Sequence, residues 1–256
     1  MRSLPSYDGA LGGLASEVPV VILGGGLGTR LAPVLPDRPK LLAPVAGQPI
    51  LDLQLFRLRQ QGFRRVILAL GHLADQVCDH IREGIDGMEV ITNIEPEPLG
   101  TAGAVAHALP LVGGGPIVVM NGDSLVHTDI GAFVAWASAN APGSALIATE
   151  IERADRYGIL RLADNGRVES FDEKPKECTR AWINAGTYWL DCEALRMIAA
   201  AGRGSLERDI LTKLAPGYLT AYRSSDPFID IGTPESLARA VQWPIDTVKR
   251  HGGRGA

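Results

Sequence analysis

Apolar residues in the first half of the chain fall into short continuous runs that alternate with stretches of helical spacing. The first run, Val18–Leu23, is rich in β-branched residues and ends in glycines, which is typical of a buried parallel strand. In the stretch Ile50–Gln61, leucines recur with the spacing of a helix that ends at Gly62. The same patterns predict further strands over residues 65–70, 89–94 and 117–121, and further helices over residues 73–81, 101–109 and 130–140. Strands that alternate with helices predict βαβ units around a parallel sheet.

The pattern changes after residue 145, where one strand-like run follows another more closely. Asp164-Asn165-Gly166 is a strong turn signal between two such runs and predicts a hairpin. Strands are predicted over residues 145–151, 158–162, 168–171, 182–190, 219–222 and 228–231, and helices over residues 192–200, 207–214 and 234–241. The sequence therefore predicts an α/β fold with a mixed, mainly parallel central sheet. Ligands are expected at the carboxyl ends of its strands.

No internal repeat or low-complexity linker divides the chain, so we expect one domain over residues 18–250, with halves at about 18–140 and 141–250. Residues 1–17 have a broken apolar pattern and are expected to form a flexible extension, and residues 251–256 a mobile, Gly-rich tail. The extension lacks the continuous apolar segment of a signal peptide, and no apolar stretch reaches membrane-spanning length. A cytoplasmic location is therefore expected.

Composition limits the partners that the chain could have. Its 256 residues are 46% hydrophobic and 21% charged, as in folded soluble proteins. The net charge of −4 and the pI of about 5.8 leave no large basic surface, so nucleic acid and anionic membranes are poor partners. Cys78, Cys178 and Cys192 are scattered, which argues against a disulfide framework and a zinc site and favours reduced thiols.

A glycine-rich loop and two cations follow the first predicted strand. Four of the five residues 24–28 are glycines, which lets backbone N–H groups approach a phosphate chain, and Arg30 adds a cation with several donors. The loop is neither a Walker A sequence nor a clean dinucleotide motif, because Thr29 stands where the third glycine would be. Lys40, in a loop stiffened by Pro39, could fold back towards the same phosphates. Taken alone, the glycines also fit a flexible turn and Lys40 a solvated side chain.

Residues 25–31 read Gly-Gly-Leu-Gly-Thr-Arg-Leu and precede Pro39-Lys40, a pattern that resembles the sugar-1-phosphate nucleotidyltransferase family. Further segments resemble the motifs of that family in the right order: residues 95–103, 121–123, 156–158, 173–175, 184–186 and 229–234. The resemblance implies a Rossmann-like three-layer sandwich, known as the nucleotide-diphospho-sugar transferase fold. It also implies condensation of a sugar or cyclitol 1-phosphate with a nucleoside triphosphate, which releases pyrophosphate. One departure is Gly24, which replaces a usual alanine and is expected to loosen the loop.

The resemblance implies a role for particular residues of each half. The implied catalytic residues are Arg30, Lys40 and Lys174. The implied nucleotide-binding residues are Leu23, Gly25, Gly26, Gly28, Thr29, Glu95, Gly100 and Thr101. The implied sugar-binding residues are Tyr157, Gly158, Glu173, Asn184 and Gly186, and the implied metal ligands are Asp123 and Asp230.

The two aspartates follow apolar strands, which suits an ion that prefers oxygen ligands. Mg²⁺ is usually held by one or two carboxylates, with phosphates and water completing its octahedron. Without the resemblance, Asp123 would fit a turn after Asn121-Gly122, and Asp230 a position before a helix. Lys174 and Glu173 would likewise pass for an exposed ion pair.

Glu95 is the residue that bears most on the choice of base. A carboxylate can accept both the N1–H and the amino group of guanine, whereas uracil presents one N–H between two acceptors. Similar segments belong to guanylyl members of the family, closest to D-glycero-D-manno-heptose 1-phosphate guanylyltransferases, while thymidylyl members have glutamine near this point. GTP is therefore expected. Glu97 is a rival for the same contact, and uridylyl transfer to a hexose or amino-sugar 1-phosphate is the closest alternative.

A different class of function stays open, because proteins of this fold include regulatory modules that bind nucleotide-sugars without catalysis. The full set of Arg30, Lys40, Asp123, Lys174 and Asp230 favours an enzyme. The resemblance also suggests a homodimer, although no residue pattern decides the oligomeric state.

Overall fold

The computed structural model describes residues 11–154, 157–172 and 180–243. Its strands are β1 (Val20–Gly24), β2 (Pro44–Val45), β3 (Gln48–Pro49), β4 (Arg65–Leu70), β5 (Glu89–Ile94), β6 (Ile117–Asn121), β7 (Ser124–Val126), β8 (Ser144–Ile151), β9 (Ile159–Leu162), β10 (Val168–Asp172), β11 (Ala181–Leu190), β12 (Leu219–Ser224) and β13 (Phe228–Asp230). Its α-helices are α1 (Leu11–Glu17), α2 (Ile50–Gln60), α3 (Ala74–His80), α4 (Gly100–Val112), α5 (Ile130–Asn140), α6 (Cys192–Ala201), α7 (Thr212–Tyr218) and α8 (Pro234–Ala240). A 3₁₀ turn covers Lys40–Leu42, and a π-helical turn covers Leu206–Leu211.

One mixed sheet includes strands from both halves of the chain. Its order is β10-β9-β11-β6-β1-β4-β5, and β8 pairs with both β11 and β12. Strand β1 runs parallel to β4 and β6, β4 runs parallel to β5, and β11 runs antiparallel to β6. The carboxyl ends of β1, β4, β5 and β6 therefore meet at the same edge of the sheet, where ligands bind in such folds.

Successive apolar side chains of β1 point to opposite faces of the sheet, and helices cover both faces. Val20 and Ile22 lie in one apolar cluster with residues of α1, α2, α3 and α5. Val21 lies in the other cluster, with residues of α4, α6 and α7. All three side chains are 0% exposed, as expected for a central strand buried on both faces. The predicted Rossmann-like three-layer sandwich is confirmed.

A smaller third cluster lies outside the main sheet and supports the residues after β6. Strand β13 pairs antiparallel with β7, and β2 with β3. Leu125 of β7, Ile231 just after β13 and Ala240 of α8 are buried together in this cluster. It holds the segment with Asp230 against the segment with Asp123.

One prediction of local structure is wrong, and one holds with a different helix type. The flexible extension predicted over residues 1–17 does not apply to Leu11–Glu17, which forms α1, and Ala15 is buried at 1% exposure in the core beside α5. Residues 1–10 lie outside the described part of the chain. The helix predicted over residues 207–214 is present, as the π-helical turn Leu206–Leu211 followed by the start of α7, whose non-helical Pro216 and Gly217 lie beyond the predicted range. None of the helices in the described ranges is sufficiently long and apolar to span a bilayer.

Candidate active site

Two adjoining cavities lie at the carboxyl edge of the sheet. The first, which we call the loop cavity, has a volume of about 460 Å³ and is lined by the glycine loop, Arg30 and Lys40. The second, the strand cavity, has a volume of about 370 Å³ and is lined by residues that include Tyr157 and Asn184. Three residues line both cavities: Asn121, Glu207 and Asp230. A ligand in one cavity would therefore lie directly beside a ligand in the other.

The glycine loop lines the loop cavity, and at two of its positions a Cβ would displace a neighbouring side chain. A Cβ at Gly24 would lie 2.3 Å from Cδ1 of Leu41, so this leucine fills the space that an alanine would need. Leu41 packs against Gly24, and the loosening of the loop by this glycine stays a prediction. A Cβ at Gly25 would lie 2.3 Å from Oε1 of Glu95. Glycine at position 25 thus allows the Glu95 carboxylate to approach the loop backbone.

Arg30 and Lys40 both line the loop cavity but differ in their partners. Nζ of Lys40 donates to Oδ2 of Asp123 over 2.8 Å, with side chains that are 19% and 28% exposed. Arg30 is exposed and makes no ion pair or hydrogen bond with any residue in the described ranges. Five N–H donors of its guanidinium are consequently available to a phosphate ligand.

A buried glutamine fixes the turn that carries Asp123. Gln54 of α2 is 1% exposed, and its amide donates to the carbonyls of Asn121 (2.9 Å) and Ser124 (3.0 Å). These two carbonyls lie on either side of Asp123. No pattern around residue 54 indicates this role, since Gln54 looks like an ordinary residue of an amphipathic helix.

Asp123 and Asp230 are neighbours across a pair of strands. Asp230 of β13 pairs with Ser124 of β7, and the N–H of Ile231 donates to the carbonyl of Asp123 over 2.9 Å. Both aspartates line the loop cavity. Oδ1 of Asp230 accepts the N–H of Gly232 over 2.8 Å, which fixes the orientation of this carboxylate.

Two carboxylates in one polar cavity suit Mg²⁺, which takes oxygen ligands and keeps places for phosphates and water. No group of three or more His, Cys, Asp or Glu side chains that could hold a metal occurs within the described ranges. A bound phosphate chain could supply further oxygen ligands. Asp123 and Asp230 are the two carboxylates of this cavity that lie on neighbouring segments, and together they could hold the ion.

Glu95 follows β5 and lies half-buried in the wall of the loop cavity. Its Oε2 accepts the N–H of Leu99 over 2.9 Å, whereas no residue of the described ranges donates to Oε1. Burial raises the pKa of Glu95, although the Leu99 N–H and the charge of His107 partly oppose this rise. A half-buried carboxylate oxygen without a protein donor is suited to a ligand that brings its own N–H groups. The rival Glu97 is exposed and pairs with Arg203 over 2.5 Å instead.

The other predicted nucleotide-binding residues divide into two groups. Leu23, Gly26, Gly100 and Thr101 line the loop cavity with Gly25. Gly28 and Thr29 do not line it. The carbonyl of Gly28 accepts the N–H groups of Leu31 and Ala32, so this part of the loop closes a turn.

The predicted sugar-binding residues within the described ranges line the strand cavity: Tyr157, Gly158, Asn184 and Gly186. The aromatic rings of Tyr157 and Phe228 pack edge to face, with centroids 5.9 Å apart, in the wall of this cavity. The predicted Glu173 and Lys174 lie outside the described residues.

Sequence reasoning missed Glu207 and the side chain of Asn121, which both line the two cavities. Glu207 lies in the π-helical turn, next to Arg208 and Asp209. In the sequence these three residues look like a solvated charged face, and nothing sets Glu207 apart from its neighbours.

Comparison with known proteins gives a consistent picture. Residues 19–243 match the family described as Nucleotidyl transferase. The D-glycero-alpha-D-manno-heptose 1-phosphate guanylyltransferase of Campylobacter jejuni subsp. jejuni is 32% identical over 215 residues, which cover 84% of this chain and 95% of that protein. The mannose-1-phosphate guanylyltransferase catalytic subunit beta of Drosophila pseudoobscura pseudoobscura is 33% identical over 235 residues. That match covers 90% of this chain but only 63% of the longer relative.

A solved structure also resembles this chain over most of its length. The crystal structure of HddC from Yersinia pseudotuberculosis complexed with GMP-PN has a TM-score of 0.76 and 33% sequence identity, and the match covers 88% of this chain and 98% of that one. The fold, the order of the motifs and these matches lead to the same assignment: the chain belongs to the nucleotidyl transferase family.

Proposed function

We propose that this protein condenses a sugar 1-phosphate with GTP to give a GDP-sugar and pyrophosphate. The observation that carries the proposal is the pair of adjoining cavities that share Asn121, Glu207 and Asp230. The loop cavity has a glycine loop and cations for a triphosphate, and the strand cavity has polar and aromatic groups suited to a sugar. The reaction would take place where the two cavities meet.

The protein's own groups mainly bring anions together and hold them in line. An ionised phosphate oxygen of the sugar 1-phosphate attacks the α-phosphorus of GTP, a new P–O bond forms, and the bond to the departing pyrophosphate breaks. No general base is needed, since the attacking oxygen is already ionised. Positioning and charge stabilisation therefore supply the catalysis. Arg30 and Lys40 would bind the triphosphate, and Lys174 would align the sugar phosphate.

Asp123 and Asp230 are the proposed ligands of Mg²⁺. When bound, the ion would offset negative charge on the reacting phosphates. Lys40 lies 2.8 Å from Asp123, so it would contribute its charge next to the same oxygens. Divalent-ion dependence is accordingly part of the proposal.

The preference for guanine is argued from Glu95. Its Oε1 accepts no hydrogen bond from a residue of the described ranges, and its half-buried carboxylate is suited to the two adjacent donors of guanine. Uracil and thymine present a single N–H between two acceptors that this carboxylate would repel. Names of relatives support the same base, since the Campylobacter and Drosophila proteins are both described as guanylyltransferases.

The class of sugar is argued from the strand cavity and from the relatives. Asn184 and Glu207 offer hydrogen-bonding groups for hydroxyls, and Tyr157 and Phe228 offer apolar walls for the carbon skeleton. Relatives are named for mannose 1-phosphate and for heptose 1-phosphate, and we propose a sugar of this manno-configured type. A cytoplasmic location and a homodimer stay predictions from the sequence.

The test is pyrophosphate release by the purified protein with each of ATP, CTP, GTP, UTP and dTTP against mannose, heptose, glucose and N-acetylglucosamine 1-phosphates. We expect release with GTP and a manno-configured sugar phosphate, dependent on Mg²⁺ and on both substrates. Faster release with UTP and a gluco-configured phosphate would contradict the proposed base and sugar. Absence of release with every pair would contradict catalysis itself and favour a binding module.

A further inference from the structure

We propose that Thr101 is a positioning residue for sugar binding, although it lines the cavity that we assign to the nucleotide. Its hydroxyl fixes the carboxylate of Glu207 in the wall between the loop cavity and the strand cavity. Loss of this hydroxyl should weaken binding of the sugar 1-phosphate and leave binding of GTP almost unchanged. The inference rests on the proposed function and adds to it a structural link between the two substrate sites.

The hydroxyl of Thr101 is already used by the protein. Oγ1 accepts the N–H of Leu206 over 2.7 Å and lies 3.3 Å from Oε2 of Glu207, to which it donates. A threonine hydroxyl has one proton, so no donor remains for a phosphate or a ribose. This use argues against a direct contact between Thr101 and the nucleotide, which the family resemblance had implied.

Glu207 is held by three hydroxyl groups. Oε2 accepts from Thr101 and from Ser205 (3.2 Å), and Oε1 accepts from Tyr188 (3.1 Å). No cation within the described ranges forms an ion pair with Glu207. A carboxylate has about four acceptor positions, so about one is left for a ligand hydroxyl. Neutral donors thus fix the carboxylate in place without neutralising its charge.

Tyr188 continues the same network into the strand cavity. Its side chain is 0% exposed, and its hydroxyl accepts the amide N–H of Asn184 over 2.8 Å while it donates to Glu207. Burial and the nearby charge of Glu207 raise the pKa of Tyr188 well above its ordinary value, so the hydroxyl keeps its proton and stays a donor. Asn184 and Glu207, which both line the strand cavity, are therefore linked through one buried hydroxyl.

The segments that carry Thr101 and Glu207 are also joined by their backbones. The N–H of Gly204 donates to the carbonyl of Leu99, and the N–H of Ala102 donates to the carbonyl of Gly204, each over 2.9 Å. Two backbone hydrogen bonds therefore join the segment after Glu95 to the segment before Glu207. Thr101 is the side chain of the first of these segments that reaches the carboxylate itself.

The experiment compares Thr101→Val and Thr101→Ser with the wild-type protein. Valine keeps the shape and removes both hydrogen bonds, whereas serine keeps the hydroxyl. For the substrate pair that the wild type turns over best, we expect Thr101→Val to raise the KM for the sugar 1-phosphate about fivefold to tenfold, equivalent to about 1 to 1.4 kcal/mol. The KM for GTP should stay within about twofold, and Thr101→Ser should restore both values.

Thr220→Val is a matched control, because the hydroxyl of Thr220 is buried without a hydrogen-bond partner. This control should leave both KM values unchanged and should not lower the melting temperature. Tyr188→Phe removes a different donor to Glu207 and should give the same split between the two KM values. It keeps the inference testable if Thr101→Val does not fold.

A rise in the KM for GTP in Thr101→Val would overturn the inference and make Thr101 a nucleotide ligand. The inference would also be overturned if the KM values were equal in the wild type, Thr101→Val and Tyr188→Phe. A fall in kcat without a selective rise in the KM for the sugar 1-phosphate would overturn it as well. In these cases the wild type is active, so the proposed function stands. Lack of turnover by the wild type with every substrate pair would instead overturn the proposed function, and this inference with it.

Discussion

Replacement of Gln54 tests how the turn with Asp123 is held in place. In Gln54→Leu, the carbonyls of Asn121 and Ser124 lose donors that lie 2.9 Å and 3.0 Å away. Two such bonds contribute about 1 kcal/mol each, and a buried carbonyl left without a partner costs about 1 to 3 kcal/mol. Part of this loss is offset, because Oε1 of Gln54 is itself buried without a partner and disappears with the substitution.

After this offset, the lost hydrogen bonds and unpaired carbonyls predict that Gln54→Leu lowers the free energy of unfolding by about 1 to 3 kcal/mol. For a chain of this size that corresponds to a fall of roughly 3 to 10 °C in melting temperature. Because the turn positions Asp123, we also expect kcat/KM for pyrophosphate release to fall at least about tenfold. Differential scanning calorimetry and the release assay measure the two effects on the same preparation.

Gln54→Glu separates lost donors from lost packing, since it keeps the size of the side chain. At pH 7 its carboxylate would face two carbonyl oxygens, so we expect it to be less stable than Gln54→Leu. This arrangement would raise the pKa of the new carboxyl in the folded state, so its deficit in stability should shrink as pH falls and grow as pH rises. Wild-type melting temperature and activity in both variants would refute the role that we assign to Gln54.

Three further substitutions address the loop cavity. Glu95→Gln should lower kcat/KM for GTP about 10-fold to 100-fold. In the wild type, the KM for GTP should rise as pH falls through the raised pKa of Glu95. A KM for GTP that depends on pH equally in the wild type and in Glu95→Gln would contradict this role. Gly25→Ala would place a Cβ 2.3 Å from Oε1 of Glu95, so the KM for GTP should rise about tenfold. If the effects of Gly25→Ala and Glu95→Gln are additive in the double variant, that result would argue against a contact between residues 25 and 95. Arg30→Ala should lower kcat about 10²-fold to 10³-fold. The melting temperature should not change, because Arg30 is exposed and has no partner in the described ranges. Normal turnover by this variant would exclude Arg30 from catalysis.

Much of the fold could be predicted because its signals are local. Alternating apolar runs and helical spacings predicted the strands and helices around the parallel part of the sheet, and the observed β4, β5 and β6 have the predicted bounds. Parallel strands bring their carboxyl ends to one edge, which is why Arg30, Lys40 and Asp123 could be expected near each other. The structure does bring these three residues to one cavity.

The missed features depend on contacts between segments that are distant in sequence. Glu207 reaches the cavities because its turn is held against the segment of Thr101, which no pattern near residue 207 reveals. Leu41 fills the space beside Gly24 for the same kind of reason. The helix at Leu11–Glu17 was missed because its glycines break the apolar pattern, and packing against α5 stabilises it instead.

The most direct test follows the α-phosphorus of GTP. GTP labelled at that position is incubated with Mg²⁺, the protein and mannose 1-phosphate or heptose 1-phosphate, and the products are separated by chromatography. We predict that the label moves into a GDP-sugar while an equal amount of pyrophosphate appears, and only when both substrates are present. Label that stays in GTP, or that appears as GMP or GDP whether or not the sugar phosphate is added, would contradict the proposed reaction.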